Sequence, residues 1–190
     1  SKREADLRKD EEVNILFKNI TFDVVILCAA KVGGILANDN FKADFIYDNI
    51  KIGTNIVKAC HDFKVKKLIN LGSSCIYPKE AKIPIKEESL LTGLLEPTNE
   101  PYAIAKIATL KMCQSFYDQH GDNFYSLMPC NLYGPKDNFD LKSSHVLPAL
   151  INKVHTAKVE NKNNITLWGS GSPLREFLYS KDVAKAIVFC

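Results

Sequence analysis

At 190 residues, with 46% hydrophobic and 25% charged residues, the chain has the length and make-up of an ordinary globular domain. That composition excludes a disordered or collagen-like chain, and a net charge of only +3, spread along the sequence, argues against a dedicated nucleic-acid surface. No apolar run reaches the about 18 residues of a membrane span, and the charged opening Ser1-Lys2-Arg3-Glu4 is no signal peptide, so the expectation is a cytoplasmic protein without a membrane or nucleic-acid partner.

Glu11 to Phe17 reads as a short helix. Asp23 to Ala30 is a near-continuous apolar run, as expected of a strand buried on both faces. Ile46, Ile50, Gly53, Val57 and Cys60 then follow at helical spacing. Lys67 to Leu71 is a second strand, ending at Gly72-Ser73, and a loop with Pro78, Pro84 and Pro97 leads to a helix from about Pro101 to Gln119. Pro101 suits the first turn of that helix, Asn99 or Glu100 its cap, and Gly121 its exit. A third strand, Phe124 to Pro129, runs into Cys130-Asn131-Leu132-Tyr133-Gly134-Pro135. A helix over Ala149 to Val159 with Pro148 at its start, a short strand over Ile165 to Trp168, and a last helix from Ser180 or Lys181-Asp182 complete the pattern.

Buried strands alternating with helices predict an α/β fold, a parallel sheet with right-handed crossovers. Ligands of such sheets bind beyond the carboxyl ends of the strands. Ala29 to Gly34, Gly72 to Cys75 and Pro129 to Leu132 all fall there.

Tyr102 and Lys106 lie one helical turn apart, so a lysine ammonium can sit beside the phenol. A neighbouring positive charge favours the phenolate and would bring a pKa of about 10 toward neutrality, where the group exchanges protons. A hydroxyl from the strand end, Ser73, can hydrogen-bond the same reacting oxygen. The spacing by itself is common and equally describes a surface lysine and a half-buried tyrosine. The six cysteines contain no Cys-x-x-Cys pair and read as structural thiols of a reducing compartment, with Cys75 set apart by its place after a strand end. The four histidines, 61, 120, 145 and 155, have no metal-ligand spacing, and no metal is expected.

Together, Ala29-Ala30-Lys31-Val32-Gly33-Gly34-Ile35, Leu71-Gly72-Ser73-Ser74-Cys75-Ile76-Tyr77-Pro78, Glu96-Pro97-Thr98-Asn99-Glu100-Pro101-Tyr102-Ala103-Ile104-Ala105-Lys106, Asn131-Leu132-Tyr133-Gly134-Pro135, Ser144-His145-Val146 and Trp168-Gly169-Ser170-Gly171 resemble the extended short-chain dehydrogenase/reductase family of nucleotide-sugar enzymes, over nearly the whole chain. The closest likeness is to its branch acting on GDP-4-keto-6-deoxymannose. The resemblance implies a Rossmann-like doubly wound sheet, with an NADP-binding domain over 1–135 and part of a smaller substrate-binding region over 136–190 interleaved with it. It also implies NADPH as cofactor, GDP-4-keto-6-deoxy-D-mannose as substrate, and a homodimer packing helices like 42–60 and 101–118 across a twofold axis.

The same resemblance assigns roles. For reduction at C4, Tyr102 would protonate the developing alkoxide, Ser73 would hydrogen-bond it, and Lys106 would lower the Tyr102 pKa and hold the nicotinamide ribose. For epimerisation, Cys75 would remove the acidified protons on C3 and C5, and His145 would return protons from the opposite face. A thiol suits that task if its pKa falls toward neutral. Asp6 and Leu7, Ala29 and Ala30, Leu71 to Ser74, Tyr102 and Lys106, Pro129 to Leu132 and His145 match cofactor-lining positions. Lys153, Trp168 and Arg175 match positions contacting the GDP part, where a cation suits pyrophosphate and an aromatic suits the base.

The chain departs from the pattern at one point. It contains no Gly-x-x-Gly-x-x-Gly loop, whose amides and helix N-terminus hold a dinucleotide pyrophosphate. Ser1 therefore reads as a cut inside the nucleotide-binding half, with substrate-domain residues absent beyond Cys190. On that reading the strand at Asp23 to Ala30 is left with an unpaired apolar edge, and NADPH binding and turnover by these residues alone would be weak. The alternatives are another epimerase or dehydratase of the same fold, which would share Ser73, Tyr102 and Lys106 without needing Cys75 and His145, and an inactive NADP-fold binding protein.

Overall fold

The computed structural model describes residues 4–141, 143–167, 169–172 and 174–190. They form two compact units: residues up to Val32 with Phe41–Met128, and Gly33–Asn40 with Pro129–Cys190.

The first unit is a Rossmann-like α/β layer built on a three-stranded parallel sheet, β1 (Val24–Leu27), β2 (Lys67–Leu71) and β3 (Phe124–Leu127), in that order. Val24 pairs with Lys67 and Leu68 with Phe124. Three helices accompany it: α1 (Asp10–Asn19), α3 (Lys42–Asp62) and α4 (Glu100–His120). In α1 an acidic first turn of Asp10, Glu11 and Glu12 and a basic Lys18 in the last complement the helix dipole. Val13 and Phe17, one turn apart, point inward. In α3 the buried positions Phe45, Asn49, Gly53, Ile56, Val57 and Cys60 follow helical spacing. The core joins Val13, Phe17, Val57, Cys60, Leu68, Cys113 and Phe124 from helices and strands together.

α4 starts with Pro101 in its first turn and ends at Gly121, whose φ of 72° is left-handed and whose N–H donates to the Tyr117 carbonyl at 2.9 Å. The side chain of Asn99, the N-cap residue, makes no capping hydrogen bond. α3 packs closely on α4 at Gly53, where an added Cβ would stand 2.0 Å from Thr109 Oγ1.

The second unit contains α2 (Ile35–Asn40), a parallel pair β4 (Asn131–Tyr133) and β5 (Phe177–Tyr179), α5 (Val146–Val159) and α6 (Ser180–Phe189). Gly134 sits where a Cβ would meet Ser180 Oγ at 2.1 Å, so the chain leaving β4 needs glycine to pass the start of α6.

Several expectations need correction. β1 is not buried on both faces: it is the edge strand, with Val24 49% and Ile26 46% exposed and Leu27 alone buried. Residues 165–167 form no strand, and Trp168 lies outside the described residues. The partner of β4 is instead Phe177–Tyr179, too short and too exposed to carry an alternating pattern. Cys28 is exposed, whereas Cys60 and Cys113 are buried.

Candidate active site

The first unit gathers its chemistry at the carboxyl end of β2. The chain turns there through a single 3₁₀ turn, Ser74–Ile76, capped by Ser73, whose hydroxyl oxygen accepts from the Cys75 N–H at 3.4 Å. Lys106, on the second turn of α4, is only 7% exposed and donates from Nζ to the Leu71 carbonyl at 2.8 Å. The same ammonium lies 5.8 Å from the Tyr102 ring centroid, and Phe45 of α3 meets that ring edge-on at 6.5 Å. Burial of a lysine without a carboxylate partner disfavours its charge, and the Lys106 pKa is lowered for that reason. Nearby thiols of Cys75 and Cys28 act in the opposite direction. Residues from the ends of β1 and β2 and from α4 thus share one electrostatic neighbourhood.

The direction of two shifts differs from expectation. Burial pushes the Tyr102 phenol well above the usual phenol range, with the Cys75 charge adding to it, rather than Lys106 drawing it down. The reason is placement: the Lys106 ammonium is hydrogen-bonded to Leu71 O and lies against the ring. Burial likewise raises the Cys75 thiol, while the Ser73 hydroxyl and the Lys106 ammonium favour its thiolate. Both shifts favour the protonated forms, the Tyr102 phenol and the Cys75 thiol. A protonated phenol is the form that gives a proton to an alkoxide.

The other candidates of this unit precede α1 or follow β1 and β2. Asp6 is already engaged: Arg8 Nη2 and Nε bond its carboxylate at 2.6 and 2.9 Å, and its own N–H donates to Glu12 Oε2 at 2.7 Å. The Leu7 carbonyl accepts from Asn55 Nδ2 at 2.9 Å. Ala29 and Ala30 follow β1, and Ser74 opens the 3₁₀ turn. The Gly72 N–H donates to the Leu127 carbonyl at 2.8 Å, and a Cβ there would lie 2.4 Å from Met128 Sδ.

One contributor escaped sequence reasoning. Asn49, 5% exposed, accepts from the Lys31 N–H at 2.8 Å and donates from Nδ2 to the Lys31 and Phe45 carbonyls at 3.0 and 2.7 Å. It fastens the loop leaving β1. No signal in the sequence marks it: the helical spacing runs through Ile46 and Ile50, which are half-buried, whereas the buried positions are Phe45 and Asn49.

Pro129, Cys130, Asn131, Leu132, His145, Lys153 and Arg175 belong to the second unit. Asn131 Nδ2 donates to the Glu176 carbonyl at 3.0 Å, linking β4 to the residue before β5. His145 is exposed and is the N-cap residue of α5, with φ −72° and ψ 169°. Lys153 Nζ donates to the Thr166 carbonyl and Arg175 Nη1 to the Leu174 carbonyl, each at 2.8 Å.

Residues 2–190 match the NAD dependent epimerase/dehydratase family. A GDP-L-fucose synthase of Sinorhizobium fredii (strain NBRC 101917 / NGR234) is 55% identical over 188 residues, 99% of this chain and 60% of the relative. One of Escherichia coli (strain K12) is 52% identical over 193 residues, covering 97% and 60%. Among solved structures, a GDP-L-fucose synthetase from Naegleria fowleri bound to NADP superposes with a TM-score of 0.87 at 37% identity, covering 98% of this chain and 61% of that one. The chain therefore spans about 60% of the length of these curated relatives. Over that span, it belongs to the NAD dependent epimerase/dehydratase family.

Proposed function

We propose that the chain carries the reducing and epimerising groups of an NADPH-dependent GDP-L-fucose synthase, which converts GDP-4-keto-6-deoxy-D-mannose to GDP-L-fucose. The observation that carries this reading is the convergence of Cys75, Tyr102 and Lys106 at the end of β2: the Lys106 ammonium lies 5.8 Å from the Tyr102 ring centroid, Cys75 bears on the protonation of both, and Lys106 on that of Cys75. A reductase of this fold needs Ser73, Tyr102 and Lys106; a thiol in the same neighbourhood adds an acid/base group for the carbons flanking the ketone. The relatives named GDP-L-fucose synthase support the substrate.

The residues present fit the nicotinamide end of a dinucleotide. An ammonium has three donors; Lys106 uses one on Leu71 O, which leaves two for ribose hydroxyls. Among the described residues the Tyr102 hydroxyl has no hydrogen-bond partner, so it is available to a ligand oxygen. Bound NADPH supplies hydride to C4. Tyr102 gives its proton to the alkoxide oxygen forming there, and Ser73 donates a hydrogen bond to the same oxygen. Lys106 offsets the phenolate left behind, which is the step at which its charge becomes valuable.

In epimerisation the C4 ketone stabilises a carbanion at C3 or C5. Cys75 takes the proton as thiolate and His145 delivers one to the opposite face, so the sugar inverts with no net change in protons. Because the Cys75 thiol rests above its ordinary value, its deprotonation belongs to the substrate-bound state. Lys153, Trp168 and Arg175 are assigned to the GDP part, and Asp6, Leu7, Ala29, Ala30 and Pro129 to Leu132 to the cofactor. A homodimer through α3 and α4 is supported by Tyr47, Ile104 and Tyr117, which those helices leave 64%, 40% and 56% exposed. Among the described residues no helix is long and apolar enough to cross a membrane, and six free thiols suit the reducing cytoplasm.

The test is an incubation with GDP-4-keto-6-deoxymannose in deuterated water. Without NADPH, deuterium should enter C3 and C5. Cys75→Ser should abolish that exchange, and Tyr102→Phe should preserve it while reduction falls by at least about 100-fold. Equal loss of both activities in both variants would remove the division of roles.

A further inference from the structure

The second unit contains a brace directed at the residue before His145. Gly34 donates its N–H to the Ser143 carbonyl at 3.4 Å, and a Cβ at Gly34 would come within 3.2 Å of the Ser144 carbonyl oxygen. A methyl at Gly34 would therefore require the Ser144 carbonyl to give way by a few tenths of an ångström. What holds 33–34 in that place is Asn38, 8% exposed in α2, whose Nδ2 donates to the Gly33 and Gly34 carbonyls at 2.7 and 3.1 Å. Both partners are acceptors, so the amide must present its NH₂ to them. Its Oδ1 is buried with no hydrogen-bond partner among the described residues, so donation is the only hydrogen bonding its side chain performs.

From the other side, Asp140 shapes the turn. Its Oδ1 accepts from the Ser143 N–H and hydroxyl at 3.0 and 2.8 Å, and its carbonyl accepts from the Ser144 N–H at 2.9 Å. Two residues of backbone clamped in this way deliver His145 to the start of α5 with extended geometry. A histidine on an exposed helix start has many rotamers; fixing its backbone narrows where its imidazole can reach.

We infer that Asn38, acting through Gly34 and the 143–144 backbone, is a positioning residue for His145 in the inversion at C3 and C5, and not a group that touches substrate. The inference rests on the assignment of His145 as the acid of epimerisation. Loss of the two donations leaves the half-buried Gly33 carbonyl without its Asn38 partner and the Gly34 carbonyl with the Asn38 backbone N–H at 3.1 Å alone, so the 33–34 segment can move; misplacement by an ångström is enough to slow a proton transfer by about 10- to 100-fold.

The test uses Asn38→Asp, which keeps size but cannot donate, together with Gly34→Ala and His145→Gln, in the protein carrying this chain. Two quantities are read without NADPH: inverted sugar formed and deuterium incorporated at C3 and C5. Asn38→Asp and Gly34→Ala should each lower inversion per deuterium incorporated by about 10-fold, while reduction of the already epimerised keto sugar changes by less than about twofold, which also shows the variants are folded. In the Asn38→Asp/His145→Gln double variant the ratio should equal that of His145→Gln alone, because the brace acts only through His145. Additive losses, or equal loss of exchange, inversion and reduction, would overturn the role of Asn38 and leave that of His145 standing. An unchanged ratio in His145→Gln would instead overturn the assignment of His145, and the brace with it.

Discussion

Gly53→Ala is the sharpest probe of how the helices set the site. In most helices alanine is favoured over glycine by about 1 kcal/mol. Here the added methyl would stand 2.0 Å from Thr109 Oγ1 and 3.0 Å from both Thr109 Cβ and Cγ2. Ordinary contact begins at 3.4 Å, so α3 and α4 must separate by 1.4 Å (3.4 less 2.0) or Thr109 must leave its rotamer. Thr109 is 4% exposed and its hydroxyl donates to the Ala105 carbonyl at 3.1 Å, which leaves it little freedom. Overpacking of this size costs about 1–3 kcal/mol, enough to exceed the propensity gain. The expected outcome is a variant destabilised by about 1–2 kcal/mol in urea unfolding, with an unchanged m-value. Because Thr109 follows Lys106 by one turn, the same shift moves Tyr102 and Lys106 from the end of β2, and reduction should fall by about 10- to 100-fold. In a Thr109→Ala background Oγ1 and Cγ2 are gone and Cβ at 3.0 Å remains, so the cost of Gly53→Ala should fall sharply, a coupling of at least about 1 kcal/mol. Equal effects of Gly53→Ala in both backgrounds would refute the steric account.

Two further outcomes follow from buried polar groups. Asn49→Leu leaves the Lys31 N–H without its acceptor and should cost about 2–4 kcal/mol, with amide-exchange protection lost first at Lys31 and its neighbours; protection lost uniformly would mean the loop is not separately fastened. Burial raises the pKa of Cys60 to about 12 and of Cys113 to about 11, from an ordinary value of 9.0. These folded-state values lie above the unfolded ones, so the unfolded chain loses its protons first as pH rises. Stability is full below about pH 9 and falls between about 9 and 11–12, by up to about 1.4 kcal/mol per pH unit per thiol. Urea midpoints from pH 8 to 11 should therefore decline less steeply in Cys60→Ala/Cys113→Ala than in the parent; parallel declines would show that the thiols are not the cause.

Helical spacing made α1, α3 and α4 readable to within a residue or three of their ends, and β2 was legible in full, because those segments bury one face in a core that enforces the period. The Tyr102 and Lys106 pair was legible for the same reason, being two residues on one face of α4. By contrast β5, three residues with Phe177 42% and Leu178 37% exposed, left no pattern, and Ile165 to Leu167 mimicked a strand although, among the described residues, they belong to none. α2 was hidden because it is a short helix rich in asparagine and exposed apolar side chains.

Residue types and spacing were thus sufficient for the alternation of strands and helices, for placing Ser73 and Cys75 at the end of β2 and Tyr102 with Lys106 on α4, and for the family those motifs resemble. The protonation states of that chemistry were not in the sequence, because desolvation depends on what packs around a group. Nothing local to Tyr102 reveals that Lys106 spends a hydrogen bond on Leu71, or that burial lifts the phenol instead of lowering it. Nor does spacing along the chain show that Asn38 reaches Gly33 and Gly34, or that Gly34 meets Ser143 from more than a hundred residues away. Contacts between distant segments are settled only when the backbone closes.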